Sequence, residues 1–229
     1  MIDFRKLQTL SIPEGDVSRI SRGDEILWRK QQQKYKTELR YIESTGTQYI
    51  DTGVNKIMFG RNDKLSFGFR PLAVSGATFL FGLMVGSRGC AIRTRNATWL
   101  QVSIWQTASP TTNNVDTIYK KFDVELSKSN GFVLDGITQG AAGSGDPALH
   151  TLDYFPLCIG AYVEASAASA TNYTVTPTRG RYYYLQIIQN GTLVRDFIPV
   201  LDWDDRPCMY DKVTDELYYN QGTGEFLYG

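Results

Sequence analysis

Residues 179–229, RGRYYYLQIIQNGTLVRDFIPVLDWDDRPCMYDKVTDELYYNQGTGEFLYG, decide the fold class. The stretch opens with Tyr182-Tyr183-Tyr184-Leu185-Gln186-Ile187-Ile188, aromatic and β-branched residues that suit a pleated, partly buried surface. Asn190-Gly191 follows. Both residue types tolerate positive φ, so the pair predicts a tight hairpin. The chain returns through 193–200 as a second strand. A second hairpin is expected from 206–211 and 216–220, turning at 212–215. Residue chemistry alone predicts a β-rich block here and no function.

Four words in this block resemble the closing part of a lectin-like sandwich family. Residues 181–188 answer the pattern (R/K)-I-Y-x-F-K-I-Y, and 190–199 read NGTLVRDFIP. Residues 207–214 read PCMYDKVT, and 218–226 read YYNQGTGEF. Near the other end, 38–53 read ELRYIESTGTQYIDTG and match the family's opening words. These words are similar to the concanavalin A/laminin-G-type domains of gut-type Gram-positive bacteria and their prophages. The resemblance brackets a domain at 38–229. It implies an all-β, antiparallel jelly-roll β-sandwich (concanavalin A-like) whose first and last strands pair. The polar residues of 38–53 are expected as hydrogen-bonded framework rather than ligand contacts.

The totals narrow the function classes. The chain has 229 residues, with 24 Lys+Arg against 24 Asp+Glu, so its formal net charge is zero. A balanced charge offers no long-range field for nucleic acid or an anionic membrane. No run approaches the ~20 apolar residues needed to span a bilayer, so no membrane insertion is expected. The start, MIDFRKLQTLSIPEG, carries charges where a secretory signal needs an apolar core. Cys90, Cys158 and Cys208 lack any CxxC spacing, and the single histidine, His150, lies in a Gly/Ala/Ser-rich loop. The cysteines are expected as buried hydrophobes and the histidine as a solvated side chain, with no zinc site.

Residues 1–30 read as a separate small β-hairpin or meander unit. Residues 7–12 alternate apolar and polar, 17–20 lead to a turn at 22–24, and 25–29 form another strand. Its apolar set is Leu7, Leu10, Ile12, Val17, Ile20, Ile26 and Trp28. Strands this few and short bury too little to stand alone in water, so the unit needs a partner. Residues 7–30 also resemble a segment, L-x-(I/L)-x-I-P-E-G-x-V-x-x-I-x-x-G-x-x-(I/L)-W-x-K, of phage and prophage tail or fibre proteins. That resemblance implies attachment or assembly through those seven residues; the alternative is a β extension that only decorates the sandwich. Residues 31–37, polar and without apolar period, read as a linker.

Between the bracketing words, strands are expected at 64–70, 78–84, 89–95, 99–105, 117–126, 132–134 and 157–162, with turns at sandwich spacing. Long loops are expected at 107–116, 140–153 and 164–178. On the strand at 99–105, Leu100, Val102 and Ile104 take the core face by alternation. Trp99, Gln101, Ser103 and Trp105 share the other face. Arg93 and Arg95 alternate likewise on the strand before. Tryptophans beside planar polar groups suit a sugar, so Trp99, Trp105, Gln101, Arg93 and Arg95 are the candidate ligand-binding residues; the alternative is that the tryptophans pack under a long loop or against the N-terminal unit.

Sandwich glycan hydrolases need two carboxylates flanking a cleft. Asp123/Glu125 and Asp202/Asp204 have the alternating spacing, but the Glu-x-Asp-x-x-Glu word is absent. No catalytic residue is assigned, and the chain is not read as an enzyme. Asp202, Asp204 and Asp205 could supply hard-cation ligands such as calcium needs, although capping of a solvated turn accounts for them as well. No cofactor is expected.

Together the resemblances imply a virion structural protein of a phage or prophage: tail, fibre or capsid decoration. Its partners would be other virion proteins through residues 1–30 and a host-surface glycan bound without catalysis, with several copies in a homo-oligomer. The alternative is a purely structural decoration or assembly protein that binds no glycan, with a glycan hydrolase third.

Overall fold

The hairpin at the head of the deciding stretch closes as its residues require. Asn190 sits at φ 50° and Gly191 at φ 78°, the paired left-handed geometry of a two-residue β-turn. The computed structural model describes residues 19–22, 25–29, 33–54, 62–73, 79–85, 88–96, 99–104, 111–112, 120–141, 155–165 and 173–229. Among them no helix occurs. Two units separate, residues 1–33 and 34–229.

In chain order the strands are β1 Arg19–Arg22, β2 Glu25–Arg29, β3 Thr37–Glu38, β4 Ile42–Thr45, β5 Ile50–Asp51, β6 Lys64–Pro71 and β7 Phe79–Val85. They continue as β8 Arg88–Asn96, β9 Trp99–Ile104, β10 Thr111–Thr112, β11 Phe122–Ser127, β12 Gly131–Leu134, β13 Ile137–Gly140 and β14 Cys158–Ile159. The last are β15 Ala161–Ala165, β16 Tyr173–Pro177, β17 Arg179–Gln189, β18 Thr192–Leu201, β19 Pro207–Asp211, β20 Glu216–Tyr218 and β21 Leu227–Tyr228.

In the first unit β1 and β2 pair antiparallel, with Ile20 opposite Trp28 and Ser21 opposite Ile26. Leu7, Leu10, Ile12 and Val17 lie outside the described residues.

In the second unit the larger sheet runs β13-β12-β11-β6-β17-β18-β19-β20, with β3, β4 and β21 joined beside that path. The smaller sheet runs β10-β9-β8-β7-β15-β16. Alternation along each strand turns one set of side chains into a shared core. Leu65, Phe67, Phe69, Phe122, Val124, Leu126, Leu185 and Ile187 enter it from the larger sheet. Leu83, Cys90, Ile92, Leu100, Val102 and Val163 enter it from the smaller one. The Phe67 and Phe81 rings meet between the sheets with centroids 4.5 Å apart. Each large side chain so enclosed contributes about 2–3 kcal/mol relative to exposure. The architecture is therefore that of an all-β, two-sheet sandwich.

Both framework words of the resemblance sit where the chain closes on itself. β4 lies between β17 and β21, so a strand of the opening word pairs with the last strand, while the short β3 before it pairs with β18. Gln48 is buried, and its Oε1 accepts from Thr45 N (2.8 Å) and Ser44 Oγ (3.2 Å). Asn220 Oδ1 accepts from Tyr49 N (3.1 Å), and its Nδ2 donates to Gly224 O (2.7 Å). Gln221 N donates to Tyr49 O (2.8 Å) and Thr223 N to Thr47 O (3.1 Å).

Several sequence expectations need correction. Residues 34–37, expected as linker, are held on the sandwich: Lys36 N donates to Leu201 O, and Thr37 pairs with Leu201 across β3 and β18. The Tyr35 ring tilts against Tyr210 at 4.9 Å, so the segment has an apolar anchor that its polar neighbours conceal. The expected strand at 157–162 is broken at Gly160, φ 81°, where the chain leaves β5 and joins the smaller sheet. Residues 173–177 form edge strand β16 inside an expected loop, as Tyr-Thr-Val-Thr favours. Thr111–Thr112 pairs with β9 inside another. The pairing of β15 with β7 is parallel, whereas the other pairings among the described strands are antiparallel. The chain between them is long enough to cross over.

Two outcomes follow from this closure and core. A Cβ at Gly222 would stand 1.9 Å from Thr47 O, so Gly222→Ala must push the closing segments apart. It should cost about 2 kcal/mol or more, read as a lower chemical-denaturation midpoint. The three cysteines are free and buried. Burial pushes the Cys208 thiol up to about 12 and raises those of Cys90 and Cys158 as well. At about pH 8 a thiol reagent should label none of them in the native protein and all three in denaturant.

Candidate functional site

The candidate sugar face is the outer surface of the smaller sheet. Leu100 and Val102 take the core side, both fully buried, so positions 99, 101 and 103 fall on the opposite face. Register places Arg93 opposite Gln101 on one side and Phe79 on the other. Arg93 is partly buried, with its guanidinium carbon 5.7 Å from the centre of the Phe79 ring. The side chains of Trp99, Gln101 and Arg95, and all of Trp105, lie outside the described residues.

The same face holds an aromatic group that sequence reading missed. Phe79 and Tyr162 stack with centroids 3.8 Å apart and planes within 6°. Met84 and Ala91 pack with them. Tyr162 is only 4% exposed although it lies on the sheet's outer side. Burial pushes its hydroxyl up to about 12; the Glu164 carboxylate adds to the rise and Arg93 opposes it. The phenol therefore stays neutral through the physiological range. The legible signal was the alternation Ala161-Tyr162-Val163-Glu164, with Ala161 and Val163 directed to the core. A cation, a carboxylate and flat rings thus share one side of a sheet. The half-buried Phe79 ring can meet a sugar's apolar face, and the charged groups can hydrogen-bond its hydroxyls.

The acidic turn at 202–205 is built differently. Asp202 is 2% exposed. Its Oδ1 accepts from Arg206 N (2.8 Å) and Asp204 N (2.9 Å), and its Oδ2 from Arg206 Nε (2.9 Å) and Tyr219 OH (3.1 Å). Burial by itself would raise its pKa. The donors from Arg206, Tyr219 and Asp204 outweigh that and hold the carboxyl below its usual value. Asp204 pairs with Arg206 at 3.0 Å, and Asp205 pairs with Lys36. The three carboxylates weighed as calcium ligands are thus each committed to a cation of the chain. Among the described residues no cluster of acidic, His or Cys groups converges as a metal needs.

Beside this turn a pocket of about 310 Å³ opens between Arg206, Tyr219, Asn220, Gly222, Gly224 and Glu225. Its polar groups are largely spent on framework. Tyr219 serves Asp202, and the Asn220 amide holds Tyr49 N, Gly222 N and Gly224 O.

The other carboxylate pair lies on the outer face of the larger sheet. Asp123 faces Lys121 at 3.1 Å and Glu125 faces Lys64 at 3.3 Å, and Asn130 also donates to Glu125. His150 lies outside the described residues.

No protein-family model matches the chain, and a search of curated proteins finds no match.

The Asp202 cage makes an acid-stability prediction. A folded-state pKa below the unfolded value of about 3.9 contributes stability above that pH, lost as pH falls through the lower folded value. Asp202→Asn should therefore cost about 2 kcal/mol at neutral pH. Its deficit against wild type should shrink below about pH 4, read by denaturation at several pH values.

Proposed function

We propose that this chain is a virion structural protein of a phage or prophage, a tail, fibre or capsid decoration component. Its concanavalin A-like, jelly-roll sandwich binds host-surface carbohydrate without catalysis. The observation that carries the reading is the outer face of the smaller sheet. There Arg93 and position 101 form one cross-strand row beside the Phe79–Tyr162 stack and Glu164. The resemblance of both ends of 38–229 to a lectin-like family points the same way. Residues 1–30 would fix the protein to other virion components, through Ile20, Ile26 and Trp28 among others. Several copies in a homo-oligomer would convert weak single sites into useful avidity.

The second reading is a particle-stabilising protein that binds no sugar. The burial of Tyr162 favours it, because a ring already covered offers no platform to a ligand.

A glycan array probed with the full-length chain in multimerised form separates the two. The proposal expects retention of host-surface glycans. It also expects a loss of about tenfold in affinity for Arg93→Ala with the native fold retained. Retention of no glycan at any density would leave the structural reading.

A further inference from the structure

The outer face of the larger sheet carries a second unusual surface. Across it, in one cross-strand row, stand Lys121, Arg70, Arg181 and Glu43. Arg181 is opposite Arg70 on one side and Glu43 on the other. Phe122 faces Phe69, so Lys121 is next in line to Arg70. Neighbouring strands lie about 5 Å apart, so three cations stand side by side. Two of them have partners. Arg181 Nε donates to Glu43 at 2.6 Å, and Lys121 sits 3.1 Å from Asp123. Arg70 has none. Among the described residues its Nε is the one buried side-chain nitrogen or oxygen without a hydrogen-bond partner. A buried guanidinium Nε without a hydrogen-bond partner, set between two other cations, is a costly arrangement for a protein to keep.

Tyrosines wall this row. The Arg181 guanidinium lies 4.2 Å from the centre of the Tyr41 ring, and Tyr41 meets Tyr183 edge-on at 5.8 Å. Lys121 Nζ lies 5.1 Å from the Tyr183 ring and 5.8 Å from that of Tyr184. Tyr184 lies close over the sheet because Gly68 is beneath it: a Cβ there would stand 2.7 Å from the Tyr184 ring. Tyrosine and arginine together give large, rigid contact area at low entropic cost.

We infer that Arg70, flanked by Lys121 and Arg181 and walled by Tyr41, Tyr183 and Tyr184, is the anchor of a second binding site, which takes an acidic sugar. The fork of Arg70 would receive the oxyanion, a carboxylate or a phosphate. The tyrosines would take the apolar faces of the sugar. Planar bidentate pairing favours arginine for such groups, and the row together with the adjacent Asp123 holds three cations and two carboxylates, leaving room for one more negative charge. The inference rests on the carbohydrate reading above and names a different face and a charge class for the ligand.

The test is calorimetric titration of the full-length chain with a glucuronic-acid oligomer, a neutral glucose oligomer of equal length, glucose 6-phosphate and inorganic phosphate alone. The expected result is a preference of about tenfold or more for the glucuronic-acid oligomer or the phosphosugar over the neutral oligomer. That preference should vanish in Arg70→Gln and survive in part in Arg70→Lys, which keeps the charge and loses the fork. The melting temperature of Arg70→Gln should be unchanged or higher, because no partner is lost. A lowered melting temperature in both variants would make Arg70 a framework residue and overturn the site. Equal binding by wild type and Arg70→Gln overturns it too, and phosphate alone binding as tightly as the phosphosugar overturns its sugar specificity. Neutral glycans bound with no anionic preference would sink this inference and leave the first reading standing. No glycan bound at all would sink both.

Discussion

The 34–229 unit depends on the closure between its two ends. β4 is inserted between β17 and β21, and the segment after it is fastened to 220–224 by Asn220, Gln221 and Thr223. β17 in turn borders β6 and β18, the middle of the larger sheet. Segments more than 170 residues apart in sequence therefore set the register of that sheet's centre. A side-chain amide does much of this work. Asn220 supplies both an acceptor and a donor to backbone that has no sheet partner there, which a buried polar backbone requires. Gly222 supplies the room, since the Thr47 carbonyl occupies the place of any Cβ.

A second constraint is the handling of buried charge. Asp202 and Asp211 are both buried and both surrounded by donors. Asp211 receives Asp196 N, Val213 N and Thr214 Oγ1, with Arg195 at 3.5 Å. Asp63 caps the Asn190-Gly191 turn from another part of the chain. Each carboxylate ties a turn to a strand, and in this setting removing a partner costs more than the pair contributes. The acidic words of the closing block are therefore structural, and the proposed reading assigns recognition to the outer faces of the two sheets. On the larger sheet's outer face Arg70 Nε is buried without a hydrogen-bond partner among the described residues.

Much of this was legible locally. Asn190-Gly191, the strand at 64–70 and the apolar alternation of 122–126 depend on neighbours in sequence, and each formed where its own residues direct. The Leu100/Val102 core face was equally plain, because a two-residue period leaves no choice once one side is buried. The Phe79–Tyr162 stack was not legible. The two rings are more than eighty residues apart and meet because β7 and β15 pair in parallel. The anchoring of 34–37 was hidden for a similar reason: Tyr35 finds Tyr210 only after β18 and β19 have been placed.

By itself, then, the sequence determined the class of the fold and the places where the chain must turn, since those follow from alternation and from backbone freedom at glycine and asparagine. It also marked Arg93 and position 101 as members of one face. Only the tertiary structure decided which face each aromatic ring would join and which charges would find a partner. The three cations of Lys121, Arg70 and Arg181 come from strands far apart in the chain, and their adjacency exists only in the register of the folded sheet.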